Sequence, residues 1–202
     1  MGKQLLAGIA GGLAFFMWSF IAHMFLGLGE IGIQEIPNEQ AVVATMKANI
    51  PSSGLYLFPG WGLPPNATHS QKMASMQSEQ MQSKIKAGPT GLLVYRANGS
   101  EVISPRQMIT ELVTNIIQIL LAVILLAQTR IINFFGRWRF ITIVGLVAAI
   151  STNISYWNWY GFPGSYTLAY ICTIAMGFVI AGLAAAAIFK PIIVTSAAGA
   201  QN

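Results

Sequence analysis

Glu111 and His23 are the two residues whose chemistry is least in keeping with their surroundings. Each lies within or at the edge of an apolar run. An ionisable side chain there is costly to desolvate and is often functional. A carboxylate and an imidazole could together hold a ligand or pass a proton. Asn115 and Gln118 follow Glu111 at i+4 and i+7, on one helical face. Ser19 stands four residues before His23. Ser151, Ser155 and Asn158 repeat the spacing, and so do Tyr166, Tyr170 and Thr173. His23, Glu111, Asn115, Gln118, Asn158, Tyr166 and Tyr170 therefore form a candidate ligand-binding set. The competing account is structural: Ser, Thr, Asn and Gln in apolar spans commonly hydrogen-bond one helix to the next. His23 and Glu111 would also sit only a turn or two below an interface, where water can solvate them. Haem ligation by His23 would need a second ligand, and no other apolar span contains His.

A second constellation is His69, Met73 and Met76, again at i, i+4, i+7. Imidazole and thioethers suit Cu(I). Alternatively, Met73, Met76 and Met81 are adaptable packing residues. Asn66-Ala-Thr and Asn98-Gly-Ser match the short glycosylation pattern. No Walker loop, zinc-protease helix or nucleophile elbow occurs, so no catalytic residue and no cofactor is indicated.

The elements that carry these residues follow from composition. The chain of 202 residues is 54% hydrophobic and 8% charged, with a net charge of +5. Soluble domains carry about 25% charged residues, so the composition is that of an integral membrane protein. The basic residues form no run or stripe, which argues against nucleic acid as a partner. The single Cys172 excludes an intramolecular disulfide. Four stretches meet the requirement of about 20 apolar residues for a membrane-crossing helix: Leu5–Leu28, Met108–Gln128, Phe140–Phe162 and Ser165–Phe189. The first is too long for a signal-peptide core and reads as a retained anchor.

With four alternating helices, Lys3, Arg130, Arg137, Arg139 and Lys190 fall on one side. The positive-inside bias makes that side cytoplasmic, with both termini inside. The expected organisation is a first transmembrane helix over 1–29, a periplasmic α/β cap over 30–107, helices two to four over 108–190, and a cytoplasmic tail over 191–202. The fold class is mainly α, a four-helix transmembrane bundle with the cap inserted between helices 1 and 2. Within the cap, Asn38 should start a helix ending before Pro51. "GLYLFPG" and "GLLVYRANGS" read as strands, and one polar helix should run from Thr68 to a stop at Gly88. The cap is small and polar, and should pack on the bundle. In "WNWYGFPGSY" the Gly161–Gly164 turn would reverse the chain at the outer interface. Trp157, Trp159 and Tyr160 fit an aromatic belt there. Gly8 and Gly12, with Gly177, Ala181 and Ala185, form small-residue faces in the inner halves, where helices can approach closely. Closure there disfavours a through-channel.

The segments "WSFIAHMFLGLGEIGIQEIPNEQAV", "GLYLFPG", "GPTGLLVY" and "WNWYGFPGSYT" resemble a family of small bacterial inner-membrane proteins with a WNWYGFP-type hairpin. The resemblance spans most of the chain and implies a bacterial inner-membrane location. It carries no activity, cofactor or catalytic residue across. The expected role is non-catalytic: an accessory or scaffold subunit of a membrane assembly, or a binder of a small or lipidic ligand at the outer leaflet. The alternative is a membrane enzyme or carrier working through Glu111 and His23. Expected partners are the lipid bilayer and other membrane subunits.

Overall fold

A computed structural model describes residues 2–191. In chain order its elements are α1 (Gly2–Met24), α2 (Glu39–Asn49), β1 (Gly54–Phe58), α3 (His69–Gln77), α4 (Glu79–Ala87), β2 (Gly91–Tyr95), α5 (Pro105–Ala127), α6 (Phe134–Tyr160) and α7 (Gly164–Ile188). Helices α1, α5, α6 and α7 are long and apolar enough to cross a membrane. At about 1.5 Å per residue they run roughly 35–40 Å, against about 30 Å of hydrocarbon. The tail expected on the inner side falls, from residue 192 onward, outside the described residues.

The ends of these helices are set by capping chemistry more than by hydropathy. Ser104 and Gln107 form a reciprocal capping box with Pro105 at the first helical position, so α5 begins three residues before Met108. Asn133 Oδ1 accepts the Gly136 N–H at 2.6 Å, and α6 starts at Phe134 rather than Phe140. Arg137 and Arg139 are therefore helical, not loop, residues. Helix α1 stops at Met24. Gly27 takes the left-handed conformation, at φ 62°, and the Leu28 N–H returns to the Ala22 carbonyl.

The chain divides into two compact units. The first contains α1, α5, α7 and most of α6. Gly8 lies against Leu120 and Gly12 against Ile116, which makes α1 and α5 antiparallel. Gly11 meets Ala181 and Ala185, while Phe15 sits on Gly177, so α1 and α7 are antiparallel as well. Phe178 lies on Gly145 of α6. Phe15 and Phe178 then meet edge to face, with ring centroids 5.1 Å apart. Each ring fills a notch that only glycine leaves open. In lipid, where burial between helices gains little from the hydrophobic effect, such close fit is the main source of association. Helix α1 packs along both α5 and α7, and α7 in turn carries α6 through Phe178 and Ala186. Helix α6 is the least buried of the four.

The second unit comprises Gln34–Val102 with Trp159–Gly161. Both expected strands form and pair antiparallel, from Gly54 opposite Tyr95 to Phe58 opposite Gly91. Two expectations change in detail. Asn38 does precede α2, but with left-handed backbone and no side-chain cap. The single polar helix from Thr68 is two helices, α3 and α4, broken at Ser78. Ser78 is extended, and its hydroxyl caps the Met81 N–H while its own N–H bonds Ser75. A side chain that caps a new helix competes with continuing the old one. Gly88 ends α4 as expected.

Candidate functional site

The candidate residues fall into separate groups. The first is an aromatic ladder at the end of the first unit that carries the α6–α7 turn. His23 meets Tyr170 edge to face at 6.2 Å, and Tyr170 stacks on Tyr166 at 4.5 Å. Tyr166 adjoins Phe162 at 5.4 Å, and Phe162 stacks on Tyr156 at 5.3 Å. The ladder thus links the end of α1, the turn and the start of α7. The segment after α1 folds over it. Gly29 lies beside the His23 ring, and Gly32, at φ 81°, lies against the Tyr166 backbone. His23 Nδ1 is 2.9 Å from the Ser19 carbonyl, which accepts only if Nδ1 carries the proton. That tautomer leaves Nε2 as an acceptor. His23 itself is exposed.

The second group is on α5. Asn115 is buried and donates through Nδ2 to Glu111 Oε1 at 3.3 Å. Glu111 is exposed and Gln118 half-buried. Neither Glu111 nor Asn115 hydrogen-bonds to His23, Tyr166 or Tyr170 among the described residues. The polar contact of Glu111 is thus to its neighbour on α5, and that of His23 to its own helix.

The α6 stripe is displaced for a clear steric reason. Ser151, Ser155 and Asn158 are exposed. The face turned inward is Ile141, Gly145, Ala149 and Asn153. Phe178 needs a glycine opposite it, and the i+4 ridge through Gly145 brings Asn153 inward instead. Asn153 donates to the Ala149 carbonyl at 2.9 Å, which satisfies it within its own helix. The aromatic residues around the α6–α7 turn differ in exposure. Trp157, Trp159 and Tyr160 are exposed, at 50, 78 and 49%, while Phe162 and Tyr166 join the ladder.

Arg137, whose charge in the sequence speaks only to topology, is buried. Its guanidinium donates to the Ala186 carbonyl, at 2.9 Å from Nη2, and to the Ile132 carbonyl. It ties the last turn of α7 to the loop before α6. Trp18 and Trp138 likewise donate to α7 carbonyls, of Thr173 at 2.8 Å and Val179 at 3.0 Å.

His69, Met73 and Met76 lie on α3, and all three are exposed. Among the described residues no three His, Cys, Asp or Glu are grouped as for a metal ion. Two shallow grooves occur elsewhere. One of about 330 Å³ is lined by Asn133, Phe135, Gly136, Trp138 and Arg139. The other, of about 370 Å³, lies along α2. Neither touches a residue of the candidate ligand set. No known protein family, curated protein or solved structure matches this chain.

Proposed function

We propose that the chain is a non-catalytic, multi-pass protein of a bacterial inner membrane, with both termini cytoplasmic, residues 30–107 periplasmic, and an accessory or scaffold role in a membrane assembly. The observation that carries this reading is the packing of the four long helices at their middle. Phe15 and Phe178, seated on Gly177 and Gly145, fill the space that a transport path would need. The polar side chains next to that core are mostly satisfied within their own helices, as Asn115, Asn153 and Thr173 illustrate. These bonds account for the polar groups without a ligand, although they lie within single helices and do not themselves join one helix to the next. The Glu111/His23 reading receives less support, because among the described residues the two share no hydrogen bond and neither lines a groove.

The test is purification from native membranes in a mild detergent, followed by identification of what co-purifies. A stoichiometric membrane-protein partner is the expected result. A small molecule retained without any protein partner would favour the ligand-binder reading. Catalytic turnover lost in both Glu111→Gln and His23→Gln would establish the enzyme reading instead.

A further inference from the structure

The charge of the chain is unevenly placed. Antiparallel packing puts the starts of α1 and α6 together with the ends of α5 and α7. Lys3, Arg130, Arg137, Arg139 and Lys190 therefore lie at one end of the first unit. All six glutamates lie between residues 30 and 111, where they are matched in number by the other six basic residues. The whole net charge of +5 thus belongs to that one end. Arg137 is occupied there by the Ala186 and Ile132 carbonyls. Arg139 is exposed, with no carboxylate partner among the described residues.

Arg139 lines the groove at the start of α6. Asn133 lines it too. Its Oδ1 is committed to the Gly136 N–H, which leaves the amide N–H groups as donors. Trp138 commits its N–H to Val179, so it offers the groove only ring surface. Phe135, 73% exposed, stands beside these donors. A cation and an amide donor next to an exposed aromatic ring suit a ligand that is anionic at one end and apolar at the other.

We infer that this groove holds an acidic phospholipid, with Arg139 and Asn133 on the headgroup phosphate and Phe135 against the acyl chain. The inference rests on the membrane reading above. A guanidinium binds a phosphate through two parallel hydrogen bonds, which sets it apart from the diffuse attraction of a charged surface. A free phosphate would use the same donors but would gain nothing from Phe135.

Native mass spectrometry of the full chain in mild detergent, titrated with phosphatidylglycerol or phosphatidylcholine, tests this. Phosphatidylglycerol should be retained preferentially. Arg139→Gln should lower its retention about tenfold, the size of a lost charge-assisted hydrogen bond. Lys3→Gln removes the same charge at the same end and should change retention by less than about twofold. Phe135→Ser leaves every charge in place and should also weaken retention. Equal retention of the two lipids, equal losses in Arg139→Gln and Lys3→Gln, or an unchanged Phe135→Ser would overturn the site. Displacement of the lipid by excess inorganic phosphate would reassign it to a free anion. Alkaline extraction of native membranes reports on insertion separately, so the two readings can fail independently.

Discussion

Arg137 shows how one side chain can serve two ends of a helix bundle. The final carbonyls of α7 have no partner within their own helix, and the negative end of the helix dipole lies there. Arg137 supplies donors to Ala186 and to Ile132 at once, from a buried position. Removing the guanidinium leaves the buried Ala186 carbonyl unpaired in an apolar setting, while exposed Ile132 can turn to water. Arg137→Met should therefore cost about 2 kcal/mol or more. Exposed Arg139→Met should stay within about 0.5 kcal/mol. Retention of folded protein on heating in mild detergent compares the two, and equal losses would refute the clamp. Sequence makes the charge of Arg137 legible but not this role, because its partners are backbone carbonyls. A carbonyl looks the same at every residue, so nothing in the side chains at 132 or 186 announces it. Asn153 is hidden for a related reason, since the orientation of α6 is set by the ring of Phe178.

At the scale of elements, the four long helices and both strands are legible because hydropathy and β-branched or aromatic runs decide them. The boundaries are less so. "SPRQ" before α5 and "SEQM" before α4 both carry capping signals, and hydropathy overrides neither. The small-residue faces are also legible, and they make a stringent prediction. A Cβ at Gly8 would stand 2.8 Å from Leu120 Cβ, and one at Gly12 would meet the Ile116 backbone. Backbone cannot rotate away as a side chain can. Gly8→Leu and Gly12→Leu should each force α1 and α5 apart and cost about 3 kcal/mol, the upper range for overpacking. Leu13 is 45% exposed on the other face of α1. Leu13→Ala should cost well under about 1 kcal/mol, since lipid replaces the contacts it loses. Thermal unfolding of the three variants in one detergent decides the matter. If all three are tolerated alike, α1 and α5 do not pack through these glycines.

For the whole molecule, charge decides an orientation that the aromatic residues leave open. The basic end carries five cations and, among the described residues, no Asp or Glu, while the opposite end of the same unit carries the ladder and the exposed Trp157. Moving Arg130 and Arg139 across hydrocarbon would cost about 2.5–3.5 kcal/mol each even on the mildest scale. Aromatic residues gain by sitting at either interface, so they do not oppose the choice that the cations make. The basic end should therefore remain cytoplasmic, and Gln34–Val102 should be outside. Exposed Gln128, at the end of α5, and exposed Gln80, on α4, report the two sides. Each is replaced by Cys in a Cys172→Ala background, and intact cells are treated with an impermeant thiol reagent. Position 80 should label fully in intact cells. Position 128 should label only after the membrane is broken, giving at least about a tenfold difference in intact cells, because the Lys/Arg bias of the short loops fixes one orientation as the helices insert. Labelling of 128 without 80 would invert the molecule. It would also move the Arg139 groove to the outer leaflet, where the supply of acidic lipid would have to be argued afresh.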